Sequence, residues 1–122
     1  MASITSIQPP TAQDLGNGSW KLSVKYRAKF SNYEVNNFEF RDSIQVWESD
    51  LLNDDQITSW KDYNHFDPSS NVVERTKSTT VSDDSLDTEA GTEEVYLKIR
   101  LENLDLGTTP ITENSSQIKI DP

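Results

Sequence analysis

The segment from Ser19 to Ser31 alternates apolar and polar side chains over its whole length. Its even positions are apolar: Trp20, Leu22, Val24, Tyr26, Ala28 and Phe30. Its odd positions are polar, and four of them are cationic: Lys21, Lys25, Arg27 and Lys29. Because successive side chains of a strand point to opposite faces, this pattern predicts a strand with one face to bury and one cationic face in water. A lone strand cannot bury a face, so the chain needs a second layer, as in a β-sandwich or barrel.

The composition limits the size and chemistry of the fold. A chain of 122 residues suits one domain, residues 1–122, which is large enough to form a stable core without disulfides or structural metals. Only 33% of the residues are hydrophobic, which favours a thin two-layer sandwich. Cysteine is absent, so disulfides, thiolate metal sites and thiol nucleophiles are excluded.

The net charge of −10 argues against nucleic acids and anionic membranes as partners, because the protein's field repels phosphate. No apolar run approaches the roughly 20 residues of a membrane-spanning helix. The first ten residues lack the basic and apolar regions of a signal peptide. If Met1 is the native start, these features predict a cytoplasmic protein.

Five further segments carry strand patterns. They are residues 1–8, 38–46, 72–82, 93–102 and 118–120. In the second of these, Asp42 shares the parity of the apolar residues, and burying it would be costly unless a β-bulge near 41–43 turns it outward. In the same register Trp47 falls on the outer face. The Gly-, Pro- and Asn-rich stretches 11–18, 31–37 and 104–116 are interpreted as loops.

The segment 54–66 allows two structures. Asn53 and Gln56 have the spacing of a helical capping box, and Ile57 and Trp60 have helical spacing. A short strand over 57–60 fits equally well. With that strand included, about seven strands and frequent turn signals predict an all-β fold, a single antiparallel β-sandwich of immunoglobulin-like type.

Acidic side chains gather in two connections of this fold. They are Glu48, Asp50, Asp54 and Asp55 in the first, and Asp83, Asp84, Asp87 and Glu89 in the second. If 57–60 is a strand, both connections leave the same end of the sandwich. Carboxylates crowded at one end repel one another, and a hard cation with oxygen ligands would relieve that repulsion, so the set predicts a Ca²⁺ site. A solvated acidic surface is the simpler alternative.

Aromatic and polar residues gather near position 60 and are expected at the other end. They are Trp60, Tyr63, Asn64, His65, Phe66 and Asp67, joined there by Tyr33. Rings beside amide and carboxylate groups suit sugar recognition, because a pyranose packs its apolar face on a ring and bonds its hydroxyls to polar groups. The alternative is that Trp60 and Phe66 cap the core.

These patterns favour a non-enzymatic binding module for carbohydrate or another protein, with calcium at the acidic end. A second hypothesis is a structural subunit that associates with itself or docks on a larger particle. A glycan-active enzyme is the third, although no catalytic motif stands out and His65 is the only histidine. The cationic strand face can dock an anionic partner or form cross-strand ion pairs with Glu74 and other outward carboxylates.

Overall fold

The computed structural model describes residues 1–86 and 92–121, which are mostly β-strand in antiparallel sheets. The strands are β1 (Ser3–Ile7), β2 (Thr11–Asp14), β3 (Ser19–Lys29), β4 (Phe40–Glu48), β5 (Asp55–Gln56), β6 (Lys61–Phe66), β7 (Val72–Ser82), β8 (Glu93–Asn103), β9 (Ile111–Asn114) and β10 (Ile118–Ile120). Two short helices, α1 (Asn32–Asn37) and α2 (Asp83–Leu86), complete the described elements. None of the described helices is long and apolar enough to cross a membrane.

The first sheet is built on β3, the strand with the uninterrupted alternation. β7 pairs with β3 along its whole length. On the other edge, β1 pairs with the C-terminal half of β3 and β2 with the N-terminal half. Pro9 and Pro10 lie between β1 and β2, and because proline has no backbone N–H to donate, the edge strand is interrupted there. The sheet is therefore three strands wide.

The second sheet is built on β4 and β8, which pair from Phe40↔Asn103 to Glu48↔Val95. β9 and β10 pair with opposite halves of β8, and β5 and β6 pair with opposite halves of β4. Both outer edges are therefore split into two short strands, and the sheet is four strands wide. Short, interrupted edges limit pairing with other chains.

The core forms between the two sheets from the alternating positions of their long strands. Leu22, Val24, Tyr26 and Ala28 contribute from β3, and Ile44, Val46, Leu97, Ile99 and Leu101 contribute from β4 and β8. All of these side chains are buried. The predicted all-β, sandwich-like fold and the inward faces of residues 19–31 and 93–102 are thus confirmed.

Three predicted loops contain regular structure. Residues 11–14 and 111–114 form edge strands although they lack an apolar alternation, because each pairs with a long, well-patterned neighbour. Residues 32–37 form α1, which Ser31 and Glu34 begin with a complete capping box. That Ser-x-x-Glu signal is present in the sequence.

Residues 57–60, for which a helix and a short strand were both expected, form neither. Ile57 to Trp60 lies outside any helix or strand, and the strand begins at Lys61. Thr58 is held in this connection because its hydroxyl accepts the backbone N–H of Val46. Residues 55–66 nevertheless run antiparallel to β4, as the strand alternative required.

Asp42 points into the sandwich and is fully buried, so no outward rotation removes the cost that the sequence predicts for an inward Asp at this position. A register shift does occur next to it, between Asp42 and Ile44 in the pairing with β6, but it leaves the carboxylate inside. The side chain is accommodated because Tyr26, Arg75 and Lys77 all reach it. A buried charge is tolerated when it is paired and hydrogen-bonded.

Candidate binding face

The outer surface of the second sheet carries a group of aromatic and cationic side chains. Odd positions of β4 and even positions of β8 point outward, so Arg41 stands opposite Glu102, and Ser43 opposite Arg100. Trp60 and Tyr63 come from the β5–β6 connection and from β6, beside β4. We call the set Arg41, Trp60, Tyr63, Arg100 and Glu102 the aromatic face.

Both rings of the aromatic face lie against guanidinium groups. The guanidinium carbon of Arg100 is 4.2 Å from the centre of the Trp60 ring and 5.6 Å from that of Tyr63. Arg41 is 4.9 Å from the Tyr63 ring, and Arg100 Nη2 donates a 2.9 Å hydrogen bond to the Tyr63 hydroxyl. The Arg100 side chain is 19% exposed while Tyr63 is 48% exposed. The rings therefore lie against these cations, with Tyr63 about half exposed and Trp60 partly exposed.

Glu102 holds both guanidiniums in position. Arg41 donates from Nε and Nη2 to its two carboxylate oxygens, at 3.2 and 3.0 Å, and Arg100 Nε lies 3.3 Å from Oε1. The hydrogen bond to Glu102 raises the pKa of Arg41 above its ordinary value. The cations under the rings are thus fixed before any ligand arrives.

A second aromatic pair lies further along the same outer surface. Trp47 and Tyr96 stack with ring centres 6.5 Å apart, and Lys98 Nζ is 4.4 Å from the centre of the Trp47 ring. The Tyr96 hydroxyl donates to Asp54 at 2.7 Å. Burial, together with this bond, raises the pKa of Tyr96 to about 12. The predicted outward position of Trp47 is confirmed, and the pair extends the surface beyond the aromatic face.

The structure divides the predicted aromatic cluster between two sides of the sheet. Residues 61–66 form a strand, so neighbouring side chains point in opposite directions. Trp60 and Tyr63 join the aromatic face. Asn64 remains exposed, but it lies on the other side of the strand, where its Oδ1 accepts from the buried Lys77 Nζ at 2.6 Å. Phe66 packs on the core, 6.1 and 6.2 Å from two other phenylalanine ring centres, which matches the core-capping alternative.

One of the remaining predicted ligand residues lies beside the aromatic face and two lie elsewhere. His65 stands opposite Arg41 in the pairing of β6 with β4 and is exposed, with Nδ1 3.1 Å from a carboxylate oxygen of Glu39. Asp67 is exposed after the end of β6. Tyr33 lies on α1, where its ring meets the edge of Phe38 at 5.4 Å. The structure therefore brings His65 next to Arg41 on the outer side of the sheet and does not bring Tyr33 or Asp67 there.

The two acidic connections do leave the same end of the sandwich. Glu48 pairs with Val95 near the start of β8, and the second connection joins the end of β7 to that same start. Over residues 1–86 and 92–121, no group of three or more His, Cys, Asp or Glu side chains could hold a metal ion. Asp87 and Glu89 lie outside the described residues.

The described acidic residues have individual environments. Asp83 accepts the indole N–H of Trp20 at 2.6 Å, and Asp54 accepts from Tyr96 and from the backbone N–H of Asp50. Glu48 is buried at the end of β4. Asp55, in β5, and Asp84, in α2, are exposed.

The cationic outer face of β3 forms the expected cross-strand pairs. Glu74 of β7 stands opposite Arg27, and its carboxylate oxygens lie 3.6 Å from Arg27 and 3.7 Å from Lys25. All three side chains are about half exposed, so these pairs contribute little to stability.

Arg41, Arg100 and Glu102 were not identified from the sequence. A signal for two of them exists in the alternation of residues 93–102, which places Arg100 and Glu102 on the outer side. The sequence does not show that β6 returns beside β4 and lays its rings over these side chains.

Comparison with known proteins gives no family. No protein-family model matches the chain, and no curated protein matches it. A crystal structure of a Bordetella pertussis protein assigned as ApaA is similar over 99% of this chain and 93% of that one, with 8% sequence identity and a TM-score of 0.43. A likeness at this level does not bear on function.

Proposed function

We propose that the protein is a non-enzymatic binding module with an immunoglobulin-like sandwich, and that it binds carbohydrate through the aromatic face. The observation that carries the proposal is that Trp60 and Tyr63 both lie over guanidinium groups on the outside of the four-stranded sheet. Two partly exposed rings thus lie side by side, with charged groups beside them.

The strand order supports the immunoglobulin-like description. One sheet has the order β1/β2, β3, β7, and the other has the order β5/β6, β4, β8, β9/β10. When each split edge is counted once, three strands face four, which is the strand count of an immunoglobulin constant-type domain, although here the fourth strand, β5/β6, joins the sheet of β4 and β8 rather than that of β3 and β7. The long central strands carry the alternating core positions that such a sandwich requires.

The chemistry of the aromatic face fits a sugar ring. The C–H face of a pyranose is apolar and packs on an aromatic ring, while its hydroxyls need hydrogen-bond partners at the rim. Arg41 carries five N–H donors and Glu102 accepts, so both kinds of partner lie within the face. Glu102 is engaged by two guanidiniums, an arrangement that suits holding a ligand rather than transferring a proton.

Pre-organisation supports binding at this position. Fixing a flexible side chain on binding costs free energy, and this cost is smaller when the free protein already holds the side chain. Tyr63 is held by its hydroxyl bond to Arg100, and Arg100 is held in turn by Glu102. The aromatic face is therefore ordered without a ligand.

The proposal is tested on a glycan array and then by calorimetry with the glycans that bind. We expect Trp60→Ala and Tyr63→Ala each to raise Kd at least tenfold, a loss of about 1.4 kcal/mol of binding free energy, because each removes one stacking ring. Tyr33→Ala is the matched control. Tyr33 is 65% exposed but lies on α1, so its removal should leave Kd unchanged.

Thermal unfolding of each variant separates binding from folding. Variants that bind weakly but unfold at the wild-type temperature support the proposal. If Tyr63→Ala unfolds early, Tyr63→Leu keeps an apolar side chain and tests the ring alone. A wild-type protein that binds no glycan, or ring variants that bind as tightly as the wild type, would contradict it.

A further inference from the structure

Two leucines project from the connection between β4 and β5. Leu51 and Leu52 are 101% and 90% exposed, the highest values of any leucine among the described residues. Acidic residues flank them in the sequence, SDLLNDD. Adjacent leucines that are almost fully in water contribute nothing to the core. We call Leu51 and Leu52 the leucine tip.

Hydrogen bonds fix the base of the leucine tip. The backbone N–H of Asp50 donates to Asp54 Oδ1, and Oδ2 of the same carboxylate accepts from Tyr96. On the far side, Asp55 pairs with Glu48 in the second sheet. The tip is thereby held away from the sandwich rather than folded onto it.

The opposite end of the sandwich contains an apolar cavity of about 520 Å³. Phe40 and Leu101, both buried, are among its lining residues. Tyr33 and Phe38, near α1, line another part, and Leu106 lines it from the loop before β9. Its volume lies within the range of about 300–1,000 Å³ that is usual for binding sites. We call it the α1 cavity.

The tip and the cavity lie at opposite ends of one strand. Phe40, at the cavity, begins β4, and the leucine tip follows the end of β4 at Glu48. At about 3.3 Å per residue, the strand separates them by roughly 26 Å. One copy therefore cannot insert its tip into its own cavity.

We propose that the leucine tip of one copy inserts into the α1 cavity of a second copy, so that copies associate head to tail. Eight large hydrophobic residues are exposed in the described parts of the chain, and five of them belong to these two places. They are Leu51 and Leu52 at the tip, and Met1, Tyr33 and Leu106 around the cavity. This association is independent of carbohydrate binding, because the aromatic face lies elsewhere.

The geometry makes the contact heterologous. When one copy adds to another, the resulting pair still has one unoccupied leucine tip and one unoccupied α1 cavity. Further copies can therefore add, and the assembly stays open instead of closing as a two-fold dimer. Stable interfaces bury about 1,200–2,000 Å² in total, more than two leucines supply, so the rim residues Tyr33 and Leu106 have to take part. The contact is therefore weak and depends on concentration.

Charge sets the salt dependence of this association. Each copy has a net charge of −10, so copies repel one another at low ionic strength. Salt screens this repulsion and leaves the apolar contact in place. Added NaCl is therefore expected to strengthen the association, whereas a contact made by ion pairs would weaken.

Sedimentation velocity over a concentration series up to about 1 mM tests the proposal. We expect the average mass of the wild type to rise steadily past that of a dimer. The tip variant Leu51→Ser/Leu52→Ser, and the cavity variant Thr109→Trp, which places an indole at a lining position, should each remain monomeric. Leu15→Ser is the matched control, because Leu15 is 41% exposed but lies after β2, and it should associate like the wild type.

Mixing the two variants gives the sharpest test. The tip variant still offers a cavity and the cavity variant still offers a tip, so an equimolar mixture should form dimers and nothing larger. If Thr109→Trp lowers the unfolding temperature, Leu106→Glu, at an exposed rim position, replaces it. A wild type that stays monomeric throughout, a mass that levels off at the dimer, or association that survives loss of the leucine tip would each overturn the proposal.

Discussion

Lys77 Nζ lies 2.7 Å from Asp42 Oδ1 between the two sheets, and both side chains are completely buried. Asp42 also accepts from the Tyr26 hydroxyl at 2.6 Å and from Arg75 Nε at 2.9 Å. Lys77 donates in addition to Asn64 at 2.6 Å. The pair thus connects β3, β4, β6 and β7, and each buried charge has several partners.

Replacing Asp42 by Asn should lower the free energy of unfolding by about 3–5 kcal/mol, because the buried Lys77 ammonium loses its nearer carboxylate and keeps only that of Asp62, 3.4 Å away. Urea unfolding measures the loss. Glu74→Gln serves as the control, since it removes an exposed carboxylate from an ion pair and should leave the urea midpoint nearly unchanged. A loss for Asp42→Asn as small as that of the control would contradict the prediction.

A double-mutant cycle tests whether the cost belongs to the pair. Lys77→Met alone leaves Asp42 with Arg75 and Tyr26, so we expect it to cost less than Asp42→Asn. In the double variant the stranded ammonium is gone, so the combined loss should be smaller than the sum of the two single losses. Additive losses would show that Asp42 and Lys77 act independently.

Acid should lower the free energy of unfolding, because it protonates Asp42. Burial alone raises the pKa of this carboxyl, but hydrogen bonds from Arg75, Lys77 and Tyr26 outweigh burial and hold its pKa below the usual range. A lowered folded-state pKa contributes stability that is present above the unfolded value, about 3.9, and is lost as the pH falls through the folded value. Unfolding free energies measured from about pH 6 to pH 2 should therefore fall less steeply for Asp42→Asn than for the wild type.

The buried charges show where the sequence stops being informative. The alternation in residues 19–31 and 93–102 predicts strands and faces, because it depends only on the side chains of each strand. The position of Asp42 depends on β7, where Arg75 and Lys77 share the inner face with Val73 and Val81. No local pattern in the sequence indicates that β7 lies opposite β4. From the sequence alone, Asp42 is therefore an unpaired acid at a core position, whereas in the fold it is paired with Arg75 and Lys77.

The aromatic face has the same limit. Trp60 and Tyr63 stand out from the sequence as neighbouring rings, and they do lie together. Their partners Arg41 and Arg100 lie 22 or more residues along the chain from the rings that they contact (63 − 41 = 22), and only the pairing of β6 with β4 and of β4 with β8 brings them close. The sequence of the segment 54–66 left a helix and a short strand equally open.

Tyr96 should titrate abnormally late. Burial and the hydrogen bond to Asp54 raise its pKa to about 12. Because the pKa of Tyr96 is higher in the folded than in the unfolded protein, its neutral side chain contributes to the free energy of unfolding. This contribution is complete below the pKa of the unfolded protein, about 10, and is lost as the pH rises toward 12. NMR of the tyrosine ring carbons should show one tyrosine whose signal titrates near pH 12 and is missing from the Tyr96→Phe variant.

Asp54→Asn provides the matched test for Tyr96. It removes the negative charge beside the hydroxyl and leaves a side chain of nearly the same shape. The pKa of Tyr96 should then move down toward its ordinary value, without reaching it, since burial remains. An unchanged pKa in this variant would mean that Asp54 has no part in the shift.

Asp62 protects an edge of the first sheet, and its substitution should both destabilise the protein and promote aggregation. Its Oδ2 accepts the backbone N–H of Ser78 at 2.9 Å, on the side of β7 that faces away from β3, and lies 3.4 Å from Lys77 Nζ. Its own backbone has a φ of 56°, in the left-handed region. Asn tolerates that region and keeps an acceptor, Gly tolerates it without an acceptor, and Ala does neither well. Unfolding temperatures should therefore rank Asn above Gly above Ala, with Ala about 1–2 kcal/mol less stable than Asn.

Light scattering during heating should rise earliest in the Gly and Ala variants, because both expose the Ser78 N–H on an open strand edge. An Ala variant as stable and as soluble as the Asn variant would show that neither the acceptor nor the left-handed backbone matters at this position.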